Sequence, residues 1–199
     1  MQSEVELLID RARRDDLVAF DRLLQLHRNY LHVLAQLWLA PEFLQKADPS
    51  DLVQEAFLKA HQKFHQFQGS SAAEWAAWLR RILSRAVVDF IRQYHGPTRD
   101  ITREEPLEYV FFESGDRFAA LLAQSGSSPS QQAQRRELGV LLADALSLLP
   151  ENHRQVIVLR SLKEMDWKDV ASIMDRAIGT VRAMWLRALV ELREHLEEV

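Results

Sequence analysis

Residues 146–196 read LSLLPENHRQVIVLRSLKEMDWKDVASIMDRAIGTVRAMWLRALVELREHL, and their periodicity decides the fold. Apolar residues recur at three and four, the spacing of helices with one covered face. Pro150 suits the first position of a helix, where a missing N–H costs nothing. Asp166 is placed to cap the next helix, with Met165 and Val170 spaced as a hydrophobic staple. A short helix, Trp167 to Met174, then meets a longer one, Ile178 to Leu196, across the polar turn Met174-Asp175-Arg176-Ala177. Asp175 tolerates the left-handed conformation such a turn needs. Ala177 has no side-chain oxygen, so the start of the longer helix is weaker by about 1 kcal/mol than with Ser.

On the longer helix Val181, Trp185, Ala188, Leu189, Leu192 and Leu196 share one face. The opposite face carries Gly179, Thr180, Ala183 and Arg187, with Arg176 just ahead and Arg182 on the flank. This is the layout of a helix-turn-helix, whose second helix enters the DNA major groove. Arg bonds guanine edges bidentately, Thr reaches phosphate or base, and Gly and Ala let the helix approach closely. The competing reading is a plain helical hairpin with a solvated basic face.

Outward from this unit the same periodicity holds. Val5, Leu8, Ile9, Ala12, Leu17, Phe20, Leu23 and Leu24 repeat at three and four, and Leu-rich residues 30–39 follow. Asp48-Pro49-Ser50 punctuates, and Ser50 is placed to cap a helix with Val53, Phe57, Ala60 and Phe64 on one stripe. Gln68-Gly69-Ser70-Ser71 is a break. A further helix carries Trp75, Trp78, Leu79, Ile82, Ala86 and Phe90 on its apolar side and ends at Gly96-Pro97. From Thr98 to about Arg135 the pattern weakens, and SGSSPSQQAQ has linker composition. The expectation is an all-α chain of two small helical domains, residues 1–96 and 135–199, joined by an acidic, partly disordered linker, 97–134. The apolar stretch Leu107 to Phe112 is expected to dock on something.

Composition sets further bounds. With 199 residues, 47% of them apolar, the chain can bury substantial cores. It has no Cys, hence no disulfide framework and no Cys-based zinc site. The start shows no signal-peptide pattern and no run reaches membrane-spanning length, so a soluble, cytoplasmic protein without a membrane role is expected. The net charge of −4 means that DNA binding must rest on local charge. Between Lys59 and His95, Lys59, Lys63, Arg80, Arg81, Arg85 and Arg92 face only Glu74 and Asp89. Phe64, Phe67, Trp75, Trp78 and Tyr94 are interleaved there, as stacking of unpaired bases requires, although helical spacing also fits a core. Phe67 or His65 is expected on the solvent side and Trp78 inside.

Two motif sets together resemble the bacterial sigma-70 family, in its small extracytoplasmic-function branch. Leu149, Pro150, Arg154, Val156 and Leu159 match the L-P-x-x-x-R-x-V-x-x-L opening of sigma domain four. Gly179, Thr180, Val181, Arg187 and Ala188 match its recognition-helix pattern. DPSDLVQEAFLKAH, residues 48–61, resembles the D-L-V-Q-E segment of sigma domain two. FHQFQGSSAAEWAAWLRRIL, residues 64–83, resembles the stretch after it, and Asp89 and Arg92 match the D-x-x-R that closes it.

The resemblance implies binding to core RNA polymerase and to promoter DNA, with no catalysis, no metal and no cofactor. It places the polymerase contact on Asp51, Gln54, Glu55 and Leu58. It places the minus-ten element on Lys63, Phe67, Gln68, Gly69, Ser70, Arg81 and Arg85, and the minus-thirty-five element on Arg176, Gly179, Thr180, Arg182, Ala183 and Arg187. An anti-sigma factor is a further implied partner, and the acidic linker would run toward the polymerase channel. Arg85 stands where the family often has Asn, Ala183 where Ser is common, Met184 where a basic residue is, and His61 where Trp is. Base preference therefore does not carry over.

Three other classes compete: an enzyme, a helix-turn-helix regulator, and a helical interaction module held inactive by an anti-sigma partner. An enzyme would need a site, yet His61 and His65, four apart, have neither an adjoining Glu nor a third ligand, and no phosphate loop or nucleophile elbow occurs. A helix-turn-helix regulator that binds duplex operators alone, as a dimer on paired half-sites, is the stronger alternative.

Overall fold

The computed structural model describes residues 3–44, 46–95 and 129–198. Every regular element among them is helical. Helix α1 (Glu4–Ala12) starts at a capping box, in which Ser3 accepts from Glu6 N–H and the Glu6 carboxylate accepts from Ser3 N–H. Helix α2 (Leu17–Leu26) folds back on it after a turn in which Asp15 takes φ 63°. Helices α3 (Arg28–Trp38), the one-turn α4 (Pro41–Leu44), α5 (Pro49–Lys63) and α6 (Ala72–His95) complete the N-terminal part. A 3₁₀ turn, Phe64–Gln66, extends α5. The cap of α5 is Asp48, which accepts from Ser50 N–H, and Pro49 opens the helix. The expected cap, Ser50, lies one residue inside, its hydroxyl 3.4 Å from His32 Nδ1.

In the C-terminal part, α7 (Pro129–Leu148) leads into α8 (Glu151–Ile157), which widens to a π-helical turn, Val158–Leu162. Then come α9 (Trp167–Ile173) and α10 (Ile178–Glu198). Pro150 is the residue before α8, with extended ψ, instead of its first position. Asp166 occupies the expected cap position of α9, but its side chain makes no capping hydrogen bond. Asp175 takes φ 49°, as the turn chemistry requires. The linker stretch 96–128, with Leu107 to Phe112, lies outside the described residues. Helix α7 begins at Pro129, a residue suited to a helix's first turn, within the stretch expected as linker.

The core of the N-terminal part is built where α5, α6 and α3 meet. Leu52, Val53, Ala56 and Ala60 of α5 face Trp75, Leu79, Leu83 and Val87 of α6, and Leu31, Leu34 and Trp38 of α3, all buried. Leu142, Ala143, Ala145 and Leu146 of α7 are all buried because the helix is covered twice. It packs on α3 and α6 of the N-terminal part and also on α10. The two parts thus share a seam. Asn29 Nδ2 donates to Asp144 Oδ1 at 2.8 Å, and Lys163 Nζ to the Leu39 carbonyl at 2.6 Å.

Candidate nucleic-acid and protein interfaces

Three surfaces gather the residues singled out from the sequence. The first is the outer face of α5. Asp51, Gln54 and Leu58 are exposed and Glu55 is half-buried, while the opposite side of the same helix is in the core. Leu58 is 67% exposed, a large apolar side chain amid polar neighbours. Glu55 is engaged with Lys59 at 2.7 Å, and Lys59 also reaches Asp89 at 3.4 Å. The hydrogen bond from the Lys59 ammonium to Glu55 raises the lysine's pKa above its ordinary value, so the charge is held in place.

The second surface is the loop between the 3₁₀ turn and α6, with the outward side of α6. Lys63, Gln68, Ser70, Arg81 and Arg85 are exposed and close in sequence to the loop. Phe67 is not a solvent-side platform. Only 7% exposed, its ring lies 5.3 Å from Trp75, 5.2 Å from Trp78 and 6.3 Å from Phe64. An aromatic quartet buries more area together than any member gains by facing water, and edge-to-face contacts add to that. His65 is the exposed one of the two residues considered, and Trp78 is half-buried. Arg80 is 2% exposed, and the exposed cations here are Lys63, Arg81, Arg85 and Arg92.

The loop itself is fastened by two charged side chains, Arg13 and Glu74. Arg13 Nη2 donates to the carbonyls of Gly69 at 2.6 Å and Phe67 at 3.4 Å. The Arg13 guanidinium also lies 5.8 Å from the centre of the Phe67 ring. Glu74 Oε2 accepts from Ser70 N–H, Ser71 N–H and the Ser71 hydroxyl at 2.8–3.0 Å. The Ser71 hydroxyl foremost, then these two N–H groups, hold the Glu74 carboxyl below the usual carboxylate range. A Cβ on Gly69 would sit 2.7 Å from Glu74 Cβ and 2.8 Å from the Phe67 ring, so only glycine fits. The sequence reading did not single out Arg13 or Glu74. Glu74 three residues after Ser71 is a legible capping-box spacing, whereas Arg13 lies more than fifty residues away and leaves no local signal.

The third surface is α10. Val181, Ala188 and Leu192 are buried and Trp185, Leu189 and Leu196 half-buried, as the periodicity requires. Arg176, Gly179, Thr180, Arg182, Ala183 and Arg187 are all exposed on the other side. Nothing lies within 4 Å of a Cβ built on Gly179, so that glycine is not demanded by packing. Arg160 and Arg182 lie 4.8 and 5.5 Å from the Trp167 ring, and Trp167 packs edge-on against Trp185 at 5.5 Å. Trp185 Nε1 donates to Ser161 at 3.0 Å, which ties α10 to the π turn. Met184, at a position where the family commonly has a basic residue, is half-buried.

No group of three or more metal-ligating side chains occurs among the described residues, and His61 packs edge-on to Phe20 at 5.4 Å. No described helix is long and apolar enough to cross a membrane.

The family model for Sigma-70 region 2 matches residues 23–95, and that for Sigma-70, region 4 matches residues 140–192. The ECF RNA polymerase sigma-E factor of Escherichia coli (strain K12) is 30% identical over 185 residues, covering 92% of this chain and 89% of its own. The protein of the same name from Haemophilus influenzae is 28% identical over 185 residues, covering 92% and 90%. A solved structure of CnrH in complex with the cytosolic domain of CnrY matches at 20% identity and a TM-score of 0.38, covering 98% of this chain and 99% of that one. A regulator acting without polymerase gives way to this double match, since its operator-binding part would account for the C-terminal region only.

Proposed function

This chain belongs to the sigma-70 family, in its extracytoplasmic-function branch, and from that premise we propose which of its surfaces perform promoter recognition. As a sigma factor it directs RNA polymerase in transcription initiation. Asp51, Gln54, Glu55 and Leu58 form the face that grips core polymerase. The loop residues Gln68, Gly69 and Ser70, with Lys63, Arg81 and Arg85, meet the unpaired strand of the minus-ten element. Phe67 contributes by anchoring the loop from below. Arg176, Gly179, Thr180, Arg182, Ala183 and Arg187 face the minus-thirty-five element, Arg187 as base reader and Arg182 through phosphate. Residues 1–96 act as the polymerase and minus-ten domain, 135–199 as the upstream-element domain, and 97–134 as the connection. The chain performs no catalysis and needs no cofactor, works in the cytoplasm beside polymerase, and is held in check by an anti-sigma partner.

The observation that carries the polymerase assignment is Leu58, 67% exposed on a helix whose other face is core. A large apolar side chain in that position gains by being covered, and a protein partner can cover it. Leu58→Glu is expected to abolish retention of the chain on immobilised core polymerase while leaving its thermal unfolding unchanged, because the side chain touches no core. Retention equal to the parent's would remove this face from the reading.

A further inference from the structure

Arg13 sits at the end of α1, ahead of residues 23–95, where the region 2 match lies. Its side chain leaves its own helix and reaches across more than fifty residues to the carbonyls of Phe67 and Gly69. The turn that aims it is itself secured. Asp15 takes φ 63°, Arg11 pairs with Asp16 at 2.8 Å, and Asp16 caps α2 through Ala19 N–H. Glu74 takes the next two backbone N–H groups of the loop, those of Ser70 and Ser71. Gly69 is wedged between Glu74 and the Phe67 ring with no space for a side chain. The carbonyls of Phe67 and Gly69 and the N–H groups of Ser70 and Ser71 are thus engaged by two ionic partners, and Gln68 and Ser70 are exposed on that backbone.

From this paired hold on the loop backbone we infer that Arg13 is a positioning residue for minus-ten recognition, holding the loop so that Gln68 and Ser70 meet an unstacked base in one orientation. The inference rests on assigning that loop to the minus-ten element. A polar side chain discriminates bases only when its direction is set in advance, since otherwise each base is met by a different rotamer or loop shape. Arg suits the task because one planar guanidinium bonds two carbonyls while its face lies on an aromatic ring. A lysine would retain the charge and lose the planar face that lies over the Phe67 ring.

The test compares the full chain with Arg13→Ala, Arg13→Lys and Gln68→Ala, each assembled with core polymerase. Run-off transcription is measured on a promoter and on its single-base minus-ten variants, normalised to the amount of polymerase bound. The parent's preference among minus-ten bases is expected to fall about fivefold or more in Arg13→Ala, within the range that one lost base contact represents. Arg13→Lys recovers part of it. Polymerase binding and use of the upstream element stay at the parent's level, which loss of fold alone would not allow. If Gln68→Ala relaxes the preference and Arg13→Ala leaves it intact, the positioning role is overturned and the loop assignment stands. If neither variant changes it, the loop does not read the minus-ten element, and both statements fail.

Discussion

Lys163, just after the π turn of the C-terminal part, donates its ammonium to the backbone carbonyl of Leu39 in the N-terminal part at 2.6 Å. One hydrogen bond to a carbonyl replaces the water such a cation would have, without an opposing charge. Burial therefore pushes the Lys163 pKa down to about 8, from 10.5. The seam between the two parts contains a charge that the fold tolerates at a cost.

The sign follows from proton counting. Between pH 8 and 10.5 the unfolded chain holds the Lys163 proton and the folded chain does not, so this residue's contribution to stability rises with pH across that window. Urea midpoints from pH 7.5 to 10 should show a steeper rise in the parent than in Lys163→Met. Parallel curves would mean that the amine is solvated.

His27 acts at the other end of the pH scale. It is buried, its Nδ1–H donates to the Leu23 carbonyl at 3.1 Å, and burial lowers its pKa to about 4 from 6.5. The neutral ring belongs to the fold, so its contribution is complete above pH 6.5 and is lost as pH falls toward 4, by at most about 1.4 kcal/mol per pH unit. His32 is shifted in the same direction, first by burial and then by the Arg154 charge. His27→Leu should flatten the decline of the urea midpoint between pH 6.5 and 5 without abolishing it. An unchanged decline would show that His27 titrates as if exposed.

Phe67→Ala removes the middle of an aromatic cluster. A loss of about 3–5 kcal/mol in unfolding free energy is expected, with Phe67→Leu costing less. Chemical denaturation of the isolated chain measures it. A cost below about 1 kcal/mol would return the ring to the solvent side and to direct base stacking.

On α10 two arginines separate by what they touch. Arg187 is exposed, and its Nε lies 3.3 Å from the Ala183 carbonyl of its own helix. Arg187→Ala should weaken use of the upstream element by about 1–3 kcal/mol and relax preference at one base. Arg182 lies 5.5 Å from the Trp167 ring, so Arg182→Ala should also lower stability, by about 0.5–1 kcal/mol. Thermal melts beside promoter titrations distinguish the two variants. Identical melts for both would dissolve the Arg182–Trp167 contact.

The helices, the turn at Asp175 and the outward faces of α5 and α10 were legible in the amino-acid order. A period of three and four states which side of a helix must be covered, and polar residues on the other side are left for partners. Motif spacing carried the family. Periodicity says nothing, however, about what does the covering. Phe67 stands in a break, where no period distinguishes a ring turned to water from one tucked under a loop. Arg80 reads as one of a basic run, and only packing put it inside while Arg81 and Arg85 stayed outside. The reach of Arg13 to Gly69, the double covering of α7 and the bond from Lys163 to Leu39 join residues far apart in the chain. Such contacts depend on where whole helices come to rest, which is a property of volumes and crossing angles summed over the core. Local order determined the elements and their free faces; tertiary packing alone decided which side chains those faces keep and how tightly the loop between them is held.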